Sequence, residues 1–483
     1  MTKAIIDRRT MSTGRIYLFS TNAFGPLIIL IGGIPTTYAL GQAAGVPLAF
    51  VVVTVVVWLL SVGYTAMARH VPHPAVYYAA VARGLGRPLG VGAGFLGLAA
   101  YNAILCCMYG LVGGYLAGVL GGTWWIYALV VWAVVAVTGV RRVIVSAWLL
   151  GIVLAISAVL IVLFIVAGFT HPADGQLTLQ GYAWSALAGP TIGSVLTMCI
   201  AGVMGFDGGA SFSTEAVHPR GPGRAVTWAL LTAGVGSSLM AAAMGITNGW
   251  NDVSVAASDP NLHVPLNTMS SVYGVLGGLL TQLMLVFAVI ATILSVHAIV
   301  ARYGYAIAQE KVLPVWVAYT GRGELAGSPV GGSLLQSAIG VAVIAVFAIS
   351  GRDPMLSLFP WFATAGALGL VALLLISSLA AMVYLRGRRS ESAWTRWIAP
   401  LLGIAGGAVM FASMVLHCDV LLGAGPGSPL PVIIAAVLAV VVVAGMVWAG
   451  YLAARRRDVY AGISHGVPKP LVQVARPFIS MPI

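Results

Sequence analysis

Charged residues are scarce in this sequence: Asp, Glu, Lys and Arg make up 7% of the 483 residues, whereas 60% are hydrophobic. Soluble domains carry about 25% charged residues, so this scarcity excludes a soluble enzyme or a soluble binding module. Chains of this composition place most of their residues in lipid-crossing helices. The composition therefore predicts an all-α integral membrane protein with many spans.

Cysteine is also rare, and the four present are Cys106, Cys107, Cys199 and Cys418. None of them has the spacing of a metal site, so we interpret them as reduced packing residues. The sequence also lacks a phosphate-binding loop and a nucleophile with a base nearby, and its loops are too short for a catalytic centre. These absences predict that the chain is not an enzyme and that it uses no cofactor and no metal.

Long apolar runs are abundant, and about twelve of them approach the roughly 20 residues that cross a bilayer. They lie near 20–43, 46–68, 89–119, 124–140, 143–169, 186–216, 223–248, 273–308, 330–350, 355–385, 396–418 and 429–453. The first run is a membrane helix and not a cleavable signal, because no small-residue cleavage site follows a short apolar core. We number the predicted helices 1 to 12 in this order, and there is no room for a separate soluble domain.

The net charge of +12 follows the predicted topology. If twelve helices cross the membrane, every Lys and Arg except Arg352 falls on the side that holds both termini. Positive charge marks the cytoplasmic side, so both termini are predicted to be cytoplasmic in a multi-pass plasma (inner) membrane protein that does not bind nucleic acid. Residues 1–19 form a cytoplasmic segment, and the basic, Pro-containing tail 454–483 is predicted to be disordered.

Predicted helix 6 contains a stretch that a membrane helix should avoid, Ala201 to Pro219. Four glycines fall within eight positions there, at Gly202, Gly205, Gly208 and Gly209. An interior glycine costs a helix roughly 1 kcal/mol, and Asp207 among them is expensive at membrane depth. The segment is therefore predicted to be a discontinuous helix, which in secondary transporters usually forms the binding site.

Predicted helix 1 has a comparable interruption at Gly32-Gly33, followed by Pro35. Alone it is consistent with a simple kink or with close helix packing. Helices 1 and 6 correspond, however, if residues 20–170 (helices 1–5) and 186–385 (helices 6–10) are two repeats. An odd number of helices inverts the second repeat, and 396–453 (helices 11 and 12) is then peripheral.

Three motifs resemble those of the amino acid–polyamine–organocation superfamily. They are Ala44-Gly45-Val46-Pro47 with Tyr64 to Pro72, Gly205-Phe206-Asp207 with Thr214 to Pro219, and Ala301 to Pro314. The resemblance covers roughly residues 15 to 385. It implies the five-plus-five inverted repeat of the LeuT-like fold, with discontinuous helices 1 and 6, and amino acids or related amines as substrates.

The resemblance also implies how the substrate is held. The amides of Gly32, Gly33 and Ile34 would bind its carboxylate, and carbonyls near Ala201, Gly202 and Val203 its amino group. Free amides at a half-helix start favour an anion, in agreement with this assignment. Tyr101 and Asn102 on helix 3 are expected to face helices 1 and 8. The predicted substrate site comprises Ile31, Gly32, Gly33, Ile34, Tyr101, Asn102, Ala201, Gly202, Val203, Gly205, Phe206 and Asp207.

The sequence departs from the family pattern in three places. Ile31 replaces a glycine at the helix 1 break, and Ala201 replaces an aromatic residue that covers the substrate. Ser157 lies near where many proton-coupled members carry a lysine, which leaves the coupling ion open. A sodium ion bound by Ser295, a proton on His297, and exchange without an ion are the alternatives, and we favour a proton or exchange.

Predicted helix 6 contains two acidic residues, Asp207 and Glu215. Asp207 either caps the second half of the helix, which we favour, or contributes to the cavity, or binds a proton. Glu215 is interpreted as structural, paired with a basic loop.

The main hypothesis is a secondary active amino acid permease that works by alternating access. Its expected partners are a small-molecule substrate and the lipid bilayer. One alternative is a polyamine or organic amine carrier of the same fold, and another is a channel or a permease-like sensor that does not transport.

Overall fold

The computed structural model describes residues 9–140, 143–259, 263–321, 327–388, 390–425 and 427–465. Within these ranges the chain is built from helices, and the β-type pairing is one isolated bridge between Met11 and Ala216. The prediction of an all-α membrane protein is confirmed. Among the described residues, eleven helices are long and apolar enough to cross a membrane. The apolar helix Trp124–Gly139 is shorter, with 16 residues, and corresponds to predicted helix 4.

The observed helices keep the predicted order and numbering. Helices 1 to 12 span Thr13–Gly41, Val46–His70, Arg87–Leu120, Trp124–Gly139, Val143–Thr170, Ile192–Phe212, Gly221–Asn248, Val264–Gln309, Val330–Ile349, Pro354–Leu385, Trp394–Leu416 and Leu430–Arg455. Helix 8 begins earlier than predicted, because Gly274 (φ 73°) joins a short helix to the long one. The division into two inverted repeats stays a prediction.

Contacts between helix ends bring the basic residues together at one end of the bundle, which we call the basic end. The N–H of Met11 donates to the carbonyl of Glu215 (3.0 Å), so the start of the chain lies beside the exit of helix 6. Arg69, at the end of helix 2, pairs with Glu391 in the loop before helix 11 at 3.1 Å. Arg83 contacts the carbonyl of Ser464, which follows helix 12.

Two short helices at the basic end were not predicted. The linker helix, Val76–Leu85, lies between helices 2 and 3, and the tail helix, Arg457–Gly462, follows helix 12. The prediction of a disordered tail is wrong for 457–465, because Arg457–Gly462 is helical and both Val459 and the following Ile463 are buried. Residues 466–483 of that tail, and 1–8 of the N-terminal segment, lie outside the described residues.

The orientation of the bundle can be tested by thiol labelling. Asp174 and Arg388 are both exposed, and the four native cysteines are buried, which keeps background labelling low. If the basic end is cytoplasmic, an impermeant maleimide added to intact cells should label Asp174→Cys and not Arg388→Cys. Permeabilised cells should label both. The reverse pattern in intact cells would invert the assigned orientation.

Candidate binding site at two helix breaks

Helix 6 is interrupted where the glycines are densest. The α-helix ends at Val203, Met204 is extended, and Gly205 has a φ of 104° that only glycine adopts without strain. A 3₁₀ turn, Phe206–Phe212, then carries the chain towards the basic end. The carbonyls of Ala201 to Val203 therefore lie in a last helical turn, where the intrahelical partners of carbonyl groups run out.

Helix 1 is also interrupted, but not where the sequence predicted. Gly25 adopts a φ of 64°, and Pro26 starts the next helical segment. Gly32 and Gly33 lie instead in a π-helical turn, Ile29–Gly33, that continues directly into Ile34–Gly41. The prediction of a break at Gly32-Gly33 is wrong, because that pair keeps helical dihedrals while a Gly-Pro pair both ends one helix and begins another.

The two breaks lie against each other. A Cβ placed on Gly205 would be 3.0 Å from the carbonyl oxygen of Ala23, so the backbones of helices 1 and 6 touch at this point. Helices 8 and 5 support the same turn. The hydroxyl of Thr292 donates to the carbonyl of Asn22 (2.7 Å), and the Asn22 amide donates to the carbonyl of Leu150 (3.3 Å).

Asp207 is fully buried directly after the helix 6 break. Its Oδ2 accepts hydrogen bonds from the hydroxyls of Tyr77 and Tyr101, the second at 2.5 Å, and the hydroxyl of Tyr64 donates to its backbone carbonyl at 3.1 Å. Its Oδ1 has no hydrogen-bond partner among the described residues. Within the described membrane helices this is the one carboxylate, and tyrosines from helix 2, the linker helix and helix 3 surround it.

The two adjacent site residues of helix 3, Tyr101 and Asn102, have different surroundings in the structure. Tyr101 contacts helix 8 as expected, because its ring lies 6.0 Å from that of Tyr303, but its hydroxyl binds Asp207 of helix 6 and its expected position beside helix 1 stays a prediction. Asn102 donates to the carbonyl of Leu98 and lines an apolar cavity of about 400 Å³ whose other walls include residues of helices 9, 10 and 12. The prediction that Asn102 faces helices 1 and 8 is therefore wrong.

The remaining predicted site residues differ in burial. Gly32 is exposed, Ile31, Gly33, Ala201 and Gly202 are half-buried, and Ile34, Val203, Gly205 and Phe206 are buried. A Cβ on Gly202 would meet its nearest described neighbour, the Phe50 ring, at 3.8 Å, which is ordinary contact. The half-buried pair Ala201 and Gly202 is thus the part of helix 6 that is open beside the break.

The three coupling candidates also fall in different surroundings. Ser295 and Ser157 are buried, and neither hydroxyl has a hydrogen-bond partner among the described residues. Ser295 lies one turn after Thr292, close to the helix 1 break. His297 Nε2 lies 2.7 Å from the hydroxyl of Ser333 on helix 9, and a Cβ on Gly139 of helix 4 would be 2.5 Å from it. The side chain of His297, on helix 8, therefore points to helices 4 and 9. It lies outside the space between helices 1, 5 and 8, where a coupling group was expected.

An ion pair that the sequence did not reveal lies just beyond the helix 6 turn. Arg302 of helix 8 donates to both carboxylate oxygens of Glu215, at 2.6 and 3.4 Å, and lies over the ring of Phe212 at 4.6 Å. Both charged residues are buried. Glu215 is thus paired with a membrane helix and not with a basic loop. Glu215 and Arg302 each belong to one of the family-like motifs, which was the one sequence signal for them. Spacing along the chain could not pair them, because they are 87 residues apart.

The comparison with protein families agrees with the all-α membrane fold. The family model described as amino acid permease matches residues 11–447, so the chain belongs to the amino acid permease family, within the amino acid–polyamine–organocation superfamily. The protein is accordingly a multi-pass membrane transporter of a small molecule, and not an enzyme. A search of curated proteins finds no match.

Proposed function

We propose that this permease is a secondary active carrier of amino acids, which works by alternating access in the plasma membrane with both termini in the cytoplasm. The observation that carries the proposal is the contact between two helix breaks, at Gly25 and at Met204–Gly205, beside a buried carboxylate. Discontinuous helices that meet at membrane depth expose backbone groups where a polar substrate can replace the missing helical bonds.

The position of the helix 1 break revises the proposed carboxylate site. The segment that begins at Pro26 starts a new half-helix, and the positive end of its dipole favours a negative charge. The carbonyls of Ala201, Gly202 and Val203 favour a positive charge at the facing break. An α-amino acid carries both charges on adjacent atoms, which matches two half-helix ends in contact.

Alternating access requires the basic end to open. Helices 1, 2, 6 and 7 would move against the others, and the two hydrogen bonds from Arg302 of helix 8 to Glu215, which follows helix 6, would have to separate. These contacts are discrete and buried, as a gate with two states needs them to be. In the present arrangement Asp207 is fully buried, so a movement is needed before solvent or substrate reaches it.

Coupling to a proton, or exchange without an ion, is the proposed energy source. Asp207 is better placed than His297 to carry a proton, because it adjoins both breaks while His297 contacts helices 4 and 9. Ser295 and Ser157 offer two hydroxyls to a sodium ion, whereas hard cations prefer about six oxygen ligands. Uptake into liposomes with an imposed pH or sodium gradient separates these cases, and sodium-driven uptake that ignores pH would reject proton coupling.

Counterflow of purified protein in liposomes tests the main proposal. Saturable counterflow of amino acids supports a carrier, and a protein that binds amino acids without counterflow is a sensor.

A second candidate is an amine or polyamine carrier, which the buried carboxylate of Asp207 favours because a carboxylate binds an ammonium group. Counterflow with diamines and none with amino acids would establish that alternative.

Ala201 provides a test of where the side chain of the substrate lies. This small, half-buried residue stands where many relatives carry an aromatic residue, so we propose a roomy cavity that accepts bulky apolar or aromatic amino acids. Ala201→Trp should raise the KM for phenylalanine or leucine at least tenfold and leave that for alanine within about twofold. Equal loss of all substrates would contradict a size filter at this position.

A further inference from the structure

The chain after helix 12 is attached to the basic end by specific contacts. We call residues 457–464 the C-terminal strap; it consists of the tail helix with Ile463 and Ser464. Arg87 donates to the carbonyl of Ala461 (3.2 Å) and its guanidinium lies 5.1 Å from the ring of Tyr460. Arg83, on the linker helix, donates to the carbonyl of Ser464 at 3.3 Å. The strap therefore lies against the linker helix and the start of helix 3.

Glu310, directly after helix 8, anchors the end of the strap. Its Oε2 accepts hydrogen bonds from the backbone N–H of Ser464 (2.8 Å) and from the hydroxyl of Tyr78, and its Oε1 lies 3.3 Å from His73 Nε2. Burial raises the pKa of this carboxyl, but the bonds from His73, Tyr78 and the Ser464 amide outweigh it and hold the pKa below its ordinary value. The group is therefore ionised at neutral pH and its bond to the strap is charge-assisted.

The linker helix connects this anchor to the candidate binding site. Its adjacent residues Tyr77 and Tyr78 bind two different carboxylates, Asp207 at the helix 6 break and Glu310 beside the strap. The linker helix cannot move away from Asp207 without disturbing the contacts of Tyr78 and Arg83 on the other side. Since consecutive residues share one short helix, the two sets of contacts should form and break together.

We propose that the C-terminal strap is an autoinhibitory latch, which holds the linker helix in place and keeps the basic end closed over the site. Release of the strap from Glu310 frees the linker helix, and Asp207 then becomes accessible from that side. The inference rests on the proposed alternating-access mechanism, and it adds a control element that substrate binding does not require.

A pair of substitutions at Ser464 tests the latch. Ser464 has a φ of 66°, which glycine adopts without strain, so Ser464→Gly keeps the N–H that binds Glu310. Ser464→Pro removes that N–H and cannot adopt a positive φ, so it should detach the end of the strap. The readout is maleimide labelling of Ser213→Cys, a half-buried site just beyond the helix 6 turn, in purified protein.

We expect Ser464→Pro to speed labelling of Ser213→Cys at least fivefold, and Ser464→Gly to stay within twofold of the parent. Equal labelling in all three proteins would overturn the latch. The labelling measurement uses no substrate. A failure to transport amino acids would therefore reject the proposed function and leave the test of the latch intact.

Two truncations provide an independent measurement if the proline variant does not fold. A chain that ends after His465 keeps the strap, and one that ends after Arg456 lacks it. The shorter chain should label Ser213→Cys at least fivefold faster than the longer one, and Glu310→Gln in the full chain should act in the same direction. Identical labelling of the two truncated proteins, both monodisperse, would overturn the proposal.

Discussion

Asp207→Asn is expected to lower gradient-driven uptake at least tenfold while the protein still folds. The amide oxygen can still accept from Tyr77 and Tyr101, so the packing around the helix 6 break is preserved and only the ionisable group is lost. Asparagine cannot bind and release a proton and cannot pair with an ammonium group, so either role of Asp207 in transport is lost in this variant. The measurement is initial uptake into liposomes at matched protein density.

Counterflow separates the two roles that Asp207 can have. If Asp207 carries only a coupling proton, Asp207→Asn should retain counterflow and lose its response to a pH gradient. If it binds an amino group, both activities should fall. Asp174→Asn removes an exposed charge at the other end of the bundle and should behave as wild type. Wild-type uptake by Asp207→Asn would remove this carboxylate from the mechanism.

His297→Gln is the matched control for the proton pathway. The side chain of His297 contacts Ser333 and lies close to Gly139, and glutamine can keep a hydrogen bond to Ser333. The pH dependence of uptake in His297→Gln should therefore follow wild type. A flattened pH profile in this variant, with a normal profile in Asp207→Asn, would reverse the two assignments.

Composition and glycine density were sufficient to predict the membrane helices and the helix 6 break. Both signals are local. The break has a φ of 104° at Gly205, which glycine adopts without strain, so the cluster of glycines indicates the break whatever packs around it. The helix 1 break depended on a choice between two local signals. Gly32-Gly33-Ile34-Pro35 lies at the middle of the apolar run, whereas Gly25-Pro26 lies near its start, and only the packing of Ala23 against Gly205 distinguishes them.

Other features depended on tertiary contacts that spacing does not encode. Tyr101 and Asn102 are adjacent, and neighbours on a helix point about 100° apart, so only one of them could face the site. The overall composition of the tail is basic and Pro-containing, and it conceals the apolar residues Val459 and Ile463. The strap is bonded to Arg83 of the linker helix, an element too short to predict from hydropathy.

Gly25→Ala and Gly33→Ala together decide which position of helix 1 is the functional break. At Gly25 the added Cβ would lie 2.7 Å from Ile28 Cδ1 and 2.8 Å from the hydroxyl of Thr292. Its φ of 64° would also cost alanine about 1–2 kcal/mol. At Gly33 the φ is −63° and the nearest atom is 3.6 Å away, so alanine fits and gains up to about 1 kcal/mol in helix propensity.

We therefore expect Gly25→Ala to lower uptake at least tenfold and Gly33→Ala to retain it within about twofold, with Tm measured for both proteins. The two substitutions add the same methyl group to the same helix, so the difference between them reports the positive φ and the crowding at Gly25 and not the size of the added group. A Gly33→Ala protein that folds but does not transport, beside a Gly25→Ala protein that does, would return the substrate carboxylate to Gly32, Gly33 and Ile34. The expected result places it instead at the half-helix that starts at Pro26, where Ala23 and Gly205 bring the two breaks into contact.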